Sequence, residues 1–318
     1  MVSAAAGVAA ALTSLRGCDF LSSADFNPEE TAAVLQLASQ LKSGDRRIDL
    51  GNRVLGLIFS KASTRTRVSF QVAMARLGGQ TVDLNPSVTQ LGRGEPLEDT
   101  ARVLSRYCDA LAIRTFAQQE IADYAHGASV PVINALTDLE HPCQALADFL
   151  TMQEVHGDLA GQTLAYIGDG NNVAHSLMLC GALLGVNVRI GCPAGFEPLS
   201  GVLDQARSLA QHGAVIELTS DPRQAVSGAQ AVYTDVWASM GQEAEQAERE
   251  KAFTGFCLDR DLLDQADQSA IVLHCLPAHR GEEISAEVME SSASRIFDQA
   301  ENRLHAQQAL LAALLGGL

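Results

Sequence analysis

Short apolar runs alternate with amphipathic helical spans from residue 53 almost to the end of the chain, and this alternation restricts the fold more than any other feature. The spacing predicts strands over 53–59, 80–84, 109–113 and about Val130 to Ile133, separated by helices over 65–77, 96–107 and 117–126. A second series follows, with strands over 163–167, 186–191, 214–218, 230–234 and 270–274 and helices over 172–184 and 198–212. Strands alternating with helices of this length build βαβ units, so each series implies a parallel sheet covered by helices. Helix 142–155 opens at Pro142 between the two series, and Gly157 to Gly161 reads as a hinge or turn. Pro28 to Lys42 reads as an amphipathic helix with Asn27 as N-cap and Gly44 just past its end. The expectation is an α/β chain of two domains: an extension over 1–14, a first domain over 15–150, a second over 151–300, and a terminal segment over 301–318. That segment carries a helix from Asn302 to Leu314 that crosses back to the first domain.

In parallel α/β sheets ligands sit at the carboxyl ends of the strands, so the residues just after each strand are the ones to inspect. After Val54 to Phe59 comes Ser60-Lys61-Ala62-Ser63-Thr64-Arg65-Thr66-Arg67, with Ser63 at the position of a helix N-cap. Backbone N–H groups and the positive end of a helix dipole converge there, joined by the three hydroxyls of Ser63, Thr64 and Thr66 and up to three cations, Lys61, Arg65 and Arg67. That is the chemistry of a phosphate cradle, although taken alone it is equally a solvated basic turn or a kinase target.

The charge balance sharpens the point. With 22 Lys and Arg against 38 Asp and Glu the formal net charge is −16, a field that repels nucleic acid and anionic membranes, so neither is an expected partner. A small phosphorylated substrate would be repelled too unless cations are gathered locally, which residues 61 to 67 do. No apolar run is long enough to span a bilayer. The Ala-rich start, Ala4 to Leu12, lacks the basic region of a signal peptide, so Met1 to Ser14 reads as a helical or frayed extension, with a cleaved targeting segment as the alternative. Seven cysteines with no CxxC pair fit free thiols in a reducing cytosol.

Five further clusters fall at or shortly after expected strand ends. Arg114-Thr115 follows Ala110 to Ile113 and by itself is no more than an exposed arginine. His141 and Gln144 stand at a helix N-terminus, where a neutral imidazole can donate to a carbonyl oxygen, although a lone histidine is more often structural. Gly168-Asp169-Gly170-Asn171-Asn172 superficially suggests a dinucleotide site, but the third glycine is missing and Arg189 to Pro193 stand where a ribose-binding carboxylate belongs. Its asparagines suit a small polar substrate. Asp235 to Glu243 is a polar loop holding the only tryptophan and a Ser239-Met240-Gly241 turn, either a substrate clamp or a plain surface connection. Finally, Ile271 to Gly281 ends a buried strand with His274, Cys275, His279 and Arg280. Only three candidate ligands within six residues, His274, Cys275 and His279, two of them adjacent and so on opposite strand faces, make a structural metal a weak reading. A cysteine beside cations can instead have a lowered pKa and meet a substrate amine. No G-x-S-x-G elbow supports a serine hydrolase.

Together, Ser63 to Arg67, His141-Pro142-Cys143-Gln144, the Ser239-Met240-Gly241 loop and His274-Cys275-Leu276-Pro277 resemble the aspartate/ornithine carbamoyltransferase family. The likeness runs from about Gly17-Cys18-Asp19-Phe20-Leu21 to Glu301-Asn302-Arg303-Leu304, and the Ser-Met-Gly turn and Cys275 are similar to the ornithine branch in particular. The resemblance implies transfer of the carbamoyl group of carbamoyl phosphate to the δ-amine of L-ornithine in arginine biosynthesis, by a cytoplasmic homotrimer using neither metal nor organic cofactor. By the same resemblance Ser63, Thr64, Arg65 and Thr66 hold phosphate, and Arg114, His141 and Gln144 hold the carbamoyl group. Gln90 reaches a neighbouring subunit's phosphate, and Arg303 closes over carbamoyl phosphate with the Cys275-Leu276 backbone. Asn172, Asp235, Ser239 and Met240 grip the amino-acid end of ornithine, and Cys275 faces its side-chain amine. The catalytic set so implied is Arg114, His141, Asp235 and Cys275. Gln71 departs from the family's usual Ser-Phe-Glu, Arg93 occupies a variable position, and the lysine expected of an aspartate enzyme is absent from the Gln90 loop. The rival readings are the same transfer to putrescine, an N-acylated ornithine or aspartate, and a phosphate-binding regulator without activity.

Overall fold

The computed structural model of the chain describes residues 2–61, 63–85, 94–238 and 246–317. Two compact units divide it, Met1–Ala147 with Asn302–Leu318, and Asp148–Glu301.

In the first unit, strands β1 (Val54–Phe59), β2 (Gln80–Leu84), β3 (Ala110–Arg114) and β4 (Val132–Leu136) form a parallel sheet in the order β2-β1-β3-β4. The nearly unbroken apolar run of β1 and the run Ala-Leu-Ala-Ile of β3 suit strands covered on both faces, and β3 is buried throughout. Edge strand β2 instead exposes Gln80, Val82 and Asp83, a charged edge that discourages pairing with another chain. Helices α1 (Val2–Ser14) and α2 (Pro28–Ser43) precede the sheet, and α3 (Thr64–Arg76), α4 (Leu97–Leu104) and α5 (Gln118–Gly127) connect its strands. A reciprocal capping box starts α2: Asn27 Oδ1 accepts from Glu30 N–H and Glu30 Oε2 accepts from Asn27 N–H, each at 2.9 Å. The N-terminal extension is helical, with Leu12 buried and Ser14 Oγ donating to Glu30 Oε1 at 2.7 Å.

The second unit holds β5 (Thr163–Ile167), β6 (Asn187–Gly191), β7 (Ile216–Thr219), β8 (Ala231–Thr234) and β9 (Ile271–His274), all parallel, in the order β7-β6-β5-β8-β9. Its described helices are α7 (Asn172–Leu183), α8 (Ser200–Leu209), α9 (Pro222–Val226), α10 (Gln246–Ala252), α11 (Arg260–Leu263) and α12 (Ala286–Met289). Two helices are continuous across the division, α6 (Pro142–His156) and α13 (Ile296–Leu315). From Asn302 onward α13 belongs to the first unit, where Lys42 Nζ donates to Asn302 Oδ1 at 2.8 Å and Gly17 N–H to Leu314 O at 2.9 Å.

Each sheet has one place where strand order reverses. In the first it lies between β1 and β3, because the chain leaves β1 toward β2 and later returns to its other side. In the second it lies between β5 and β8. Loops on either side of such a point diverge and leave a crevice at the carboxyl ends of the strands, which is why sequence-distant loops meet there.

Several boundaries differ from the sequence expectation. Helix α4 stops at Leu104 rather than running to 107, because Ser105 Oγ turns back to Ala101 O and accepts from Ser129 N–H, fastening the helix end to the next loop. Helix α8 spans 200–209 rather than 198–212, and α13 starts at Ile296, six residues ahead of Asn302. Helices α9 to α12 have at most seven residues each, too few to impress a 3.6-residue period on the sequence. All seven cysteines are free thiols. Among the described residues no helix is long and apolar enough to cross a membrane.

The second unit's core centres on fully buried Phe253, whose ring lies 4.9 Å from Phe196, 5.5 Å from Trp237 and 5.9 Å from Phe256. Truncating it leaves a cavity that rigid neighbours cannot fill. Phe253→Ala is expected to lower unfolding free energy by about 3–5 kcal/mol, measured by chemical denaturation.

Candidate active site

At the reversal point of the first sheet, Ser63 leaves β1 in extended conformation and α3 begins at Thr64. Ser63 occupies the N-cap position but makes no side-chain cap bond; its Oγ accepts from Arg114 Nη1 at 3.1 Å, at the end of β3. The first turn of α3 therefore presents its N–H groups without a serine cap, and the helix dipole adds to the positive potential. One turn in, buried Thr66 accepts at Oγ1 from Arg303 Nη2 of α13 at 2.6 Å. The loop's cations divide. Arg65 is exposed at the first turn, whereas Arg67 forms an ion pair with Asp83 and Lys61 lies 3.8 Å over the Phe116 ring. Of the up to three cations expected at this loop, a carboxylate and an aromatic face hold two, and the guanidiniums of Arg114 and Arg303 join Arg65 from elsewhere in the chain.

His141 and Gln144 open α6 in this same unit and are buried, as are Arg114 and Arg303. Burial, then the guanidiniums of Arg303, Arg114 and Arg65, hold the His141 imidazole well below its ordinary value. It is therefore neutral at pH 7 and carries a single ring N–H to donate.

At the reversal point of the second sheet, Gly168 to Asn172 leave β5, Asp235 leaves β8 and Cys275 leaves β9. Cys275 Sγ donates to Asp235 Oδ1 at 3.0 Å, and Asn171 Nδ2 donates to Asp235 Oδ2 at 2.9 Å. Asn171 also caps α7, its Oδ1 accepting from the N–H groups of Val173 at 2.9 Å and Ala174 at 3.2 Å, with Tyr166 Oη donating to the same oxygen at 3.3 Å. Asn172 is the first residue of α7 and half-buried. A lowered pKa for Cys275 is contradicted. Burial, and next to it the Asp235 carboxylate, push the thiol well above its ordinary value, so it stays protonated.

The loop after β9 is held by His274. Its Nδ1 accepts from Leu276 N–H at 2.8 Å, so the neutral ring carries its proton on Nε2, 3.0 Å from Glu283 Oε1. Leu276, followed by a cis bond to Pro277, has φ of 60°, a region costing a branched residue about 1–3 kcal/mol. Asp235, His274 and Cys275 bring ligand atoms within 4.8 Å of one another. Those atoms are committed: the imidazole engages at both nitrogens and the thiol proton points to the carboxylate. A dinucleotide does not fit the Gly168 loop either. A Cβ on Gly170 would lie 2.2 Å from Pro198 N, so the close approach that a fingerprint glycine reserves for pyrophosphate is filled by the chain's own backbone.

Among the expected site residues, the first unit brings together Ser63, Thr64, Arg65, Thr66, Arg114, His141, Gln144 and Arg303. The second gathers Asn172, Asp235, Cys275 and Leu276. Gln90, Arg93, Ser239 and Met240 lie outside the described residues.

Two family models cover nearly all of the chain: the carbamoyl-P binding domain of aspartate/ornithine carbamoyltransferases over residues 18–154 and their Asp/Orn binding domain over 160–314. The chain belongs to the aspartate/ornithine carbamoyltransferase family. It is 84% identical over 318 residues, the whole of both chains, to an ornithine carbamoyltransferase of Parasynechococcus marenigrum. It is 61% identical over 305 residues to that of a Nostoc species, covering 96% of this chain and 99% of the relative. Among solved structures, ornithine carbamoyltransferase from Pyrococcus furiosus superposes with a TM-score of 0.91 at 49% identity, covering 96% of this chain and 99% of that one. The Gloeobacter violaceus enzyme gives 0.86 at 54% identity, covering 94% and 98%.

In this carbamoyltransferase two residues escaped the sequence reading. Asn171 hides beside the more obvious Asn172, and only its two-sided bonding reveals that it orients Asp235. Arg249, within the charged run Glu248-Arg249-Glu250-Lys251, reads as part of a solvated helix face. It is buried, its Nη1 donating to Asp169 Oδ2 and Trp237 O, each at 2.8 Å. The adjacent Asn-Asn pair was the one available signal for the first; nothing local marks the second.

Asn171→Ser keeps a competent cap but removes the donor to Asp235. Unfolding free energy is expected to change by no more than about 0.5 kcal/mol while the acceptor's KM rises about tenfold, read from thermal melts and initial rates. His141 gives a pH test. Below about 6.5 the unfolded chain's His141 takes up a proton that the folded chain refuses, so the unfolded state gains and stability falls as pH drops through that value. Melting temperature should therefore fall more steeply between neutral and mildly acidic pH in the parent than in His141→Gln.

Proposed function

We propose that the chain transfers the carbamoyl group from carbamoyl phosphate to the δ-amine of L-ornithine, giving L-citrulline and phosphate. The observation that carries this choice of acceptor is the field at Cys275. Cys275 Sγ donates to Asp235 Oδ1 at 3.0 Å; burial first, then Asp235 and the more distant Asp148, raise the thiol's pKa, and carboxylates so placed attract an ammonium and repel a second carboxylate. An acceptor ending in an amine suits that place; the β-carboxylate of aspartate does not.

The phosphate of the donor is held by Ser63, Thr64, Arg65 and Thr66 at the α3 N-terminus, with Arg303 closing over it. Gln144 orients the carbamoyl amide. His141 and Arg114 donate to the carbamoyl oxygen. Asn172 and Asp235, with Ser239 and Met240, hold the α-amino and α-carboxylate groups of ornithine, and Cys275 faces the δ-nitrogen. In solution that nitrogen is mostly protonated, with a pKa near ~10.4 by analogy with lysine, so the reactive species is its neutral form. Its lone pair attacks the carbamoyl carbon, and the carbonyl π electrons move onto oxygen as a tetrahedral oxyanion. Neutral His141 meets that charge with an N–H and cationic Arg114 with its guanidinium. The oxyanion then collapses, the bond from carbon to the phosphate oxygen breaks, and the nitrogen's surplus proton passes to the departing phosphate or to water. Holding two reactants in line supplies about 7–11 kcal/mol of the barrier reduction, so positioning outweighs any single acid or base.

The enzyme works as a cytoplasmic homotrimer in arginine biosynthesis, with Gln90 reaching the phosphate of a neighbouring subunit. Seven free thiols and an overall negative charge support the compartment. Light scattering of the purified protein tests the trimer.

The deciding experiment offers ornithine, putrescine, N-acetylornithine and aspartate in parallel with carbamoyl phosphate and follows carbamoylated product and phosphate. Turnover is expected with ornithine alone; turnover with another acceptor and not ornithine would overturn the assignment. His141→Ala is expected to lower kcat by about 10²–10³-fold, the usual loss for one oxyanion donor.

A further inference from the structure

Residues of the second unit that touch neither substrate in the proposed reaction converge on the root of the Cys275 loop. Asp148 of α6 and Gln299 of α13 are both fully buried. Gln299 Nε2 donates to Asp148 Oδ1 at 2.6 Å, and Gln299 Oε1 accepts from the backbone N–H of His274 at 2.8 Å. A carboxylate only accepts, so it fixes which end of the amide faces it and turns the oxygen toward His274. That oxygen takes the place of a missing strand. On one side His274 is in register with Thr234 of β8. Two residues earlier the other side is supported by backbone, with Val272 N–H donating to Ala293 O at 2.9 Å. At His274 the ladder has ended, and the Gln299 side chain continues it.

What His274 then holds is the turn itself. Its ring, steadied by Glu283, accepts from the N–H of Leu276 at positive φ, and Cys275 between them is aimed at Asp235. The chain of contacts therefore runs from Asp148 through Gln299 and His274 to Leu276.

We infer that Asp148 and Gln299 are positioning residues that set the Cys275-Leu276 turn for the amine of the acceptor through the backbone of His274. The naming of an acceptor rests on the function proposed above, whereas the setting of the turn does not. Spacing adds a second consequence: Asp148 follows Gln144 by one turn on α6, and Gln299 precedes Arg303 by one turn on α13. The pair thus belongs to the two helices that also carry donor-binding residues.

Three full-length variants test this. Gln299→Met keeps the volume and removes both bonds. Gln299→Glu sets two carboxylates against each other. Asp148→Asn with Gln299→Glu restores the pattern in reverse: the introduced amide on α6 would donate to one oxygen of the introduced carboxylate on α13, while the other oxygen accepts from His274 N–H. Two readouts are taken on protein shown to be folded by circular dichroism: KM values for ornithine and carbamoyl phosphate, and the alkylation rate of Cys275 by iodoacetamide, resolved by peptide mass spectrometry. Gln299→Met should raise the ornithine KM about tenfold and the carbamoyl phosphate KM less than about threefold. Its Cys275 should alkylate about fivefold faster or more, as the thiol is released from Asp235. The double variant should return both readouts to within about threefold of the parent, which a merely structural pair would not do. Parent-like values in folded Gln299→Met overturn the inference, and so does a double variant that fails to fold or remains as impaired as Gln299→Glu. If the parent does not turn over ornithine, the functional reading fails, while the alkylation rates still decide the positioning role.

Discussion

Like charges gathered around an imidazole that must stay uncharged set the terms for the first unit. Arg114 and Arg303 are buried, Arg65 stands at the helix start, and all three depress the pKa of His141. In a chain of net charge −16, such a concentration of guanidinium repels itself and favours an anion. In the proposed reaction a phosphorylated donor supplies that charge, and burial together with the same field keeps His141 neutral, with one ring N–H for the developing oxyanion. Binding and chemistry therefore draw on one electrostatic arrangement.

The second unit uses the opposite sign. Burial and, after it, Asp235 and Asp148 keep the Cys275 thiol protonated, and Asn171 turns the Asp235 carboxylate while capping α7. A site whose fixed charges are carboxylates selects a cationic or amine-bearing acceptor without needing a cation of its own. In the proposed reaction the two fields divide the work: one collects a dianion, the other an amino acid with a basic side chain. Both are made by side chains whose own partners fix their orientation, so little reorganisation is required when substrate arrives.

Topology makes this possible. A parallel sheet sends every strand's carboxyl end the same way, and the reversal of strand order parts the loops there. Ser63 and Arg114 meet because β1 and β3 are neighbours, and Asp235 and Cys275 meet because β8 and β9 are. Helix α13 delivers Arg303 to the first unit from the far end of the chain.

The strand–helix alternation, the helix start at Ser63 and Thr64, and the positions of Asp235 and Cys275 just after strands were legible in the sequence, because periodicity and local chemistry are written residue by residue. The fate of Lys61 and Arg67 was not: whether a cation faces solvent, an aromatic ring or a carboxylate depends on residues tens of positions away. Nor was the protonation of Cys275, since a thiol's pKa is set by burial and by which charge lies across the sheet, and here that charge is a carboxylate. The adjacent Asn-Asn pair was the one sign of Asn171, while Arg249 and the Asp148–Gln299 pair carry no local mark at all. The sequence by itself determined the elements, their order and the chemistry available at their ends; only tertiary structure decided which of those groups face one another, because charge, hydrogen bonding and burial act through space and not along the chain.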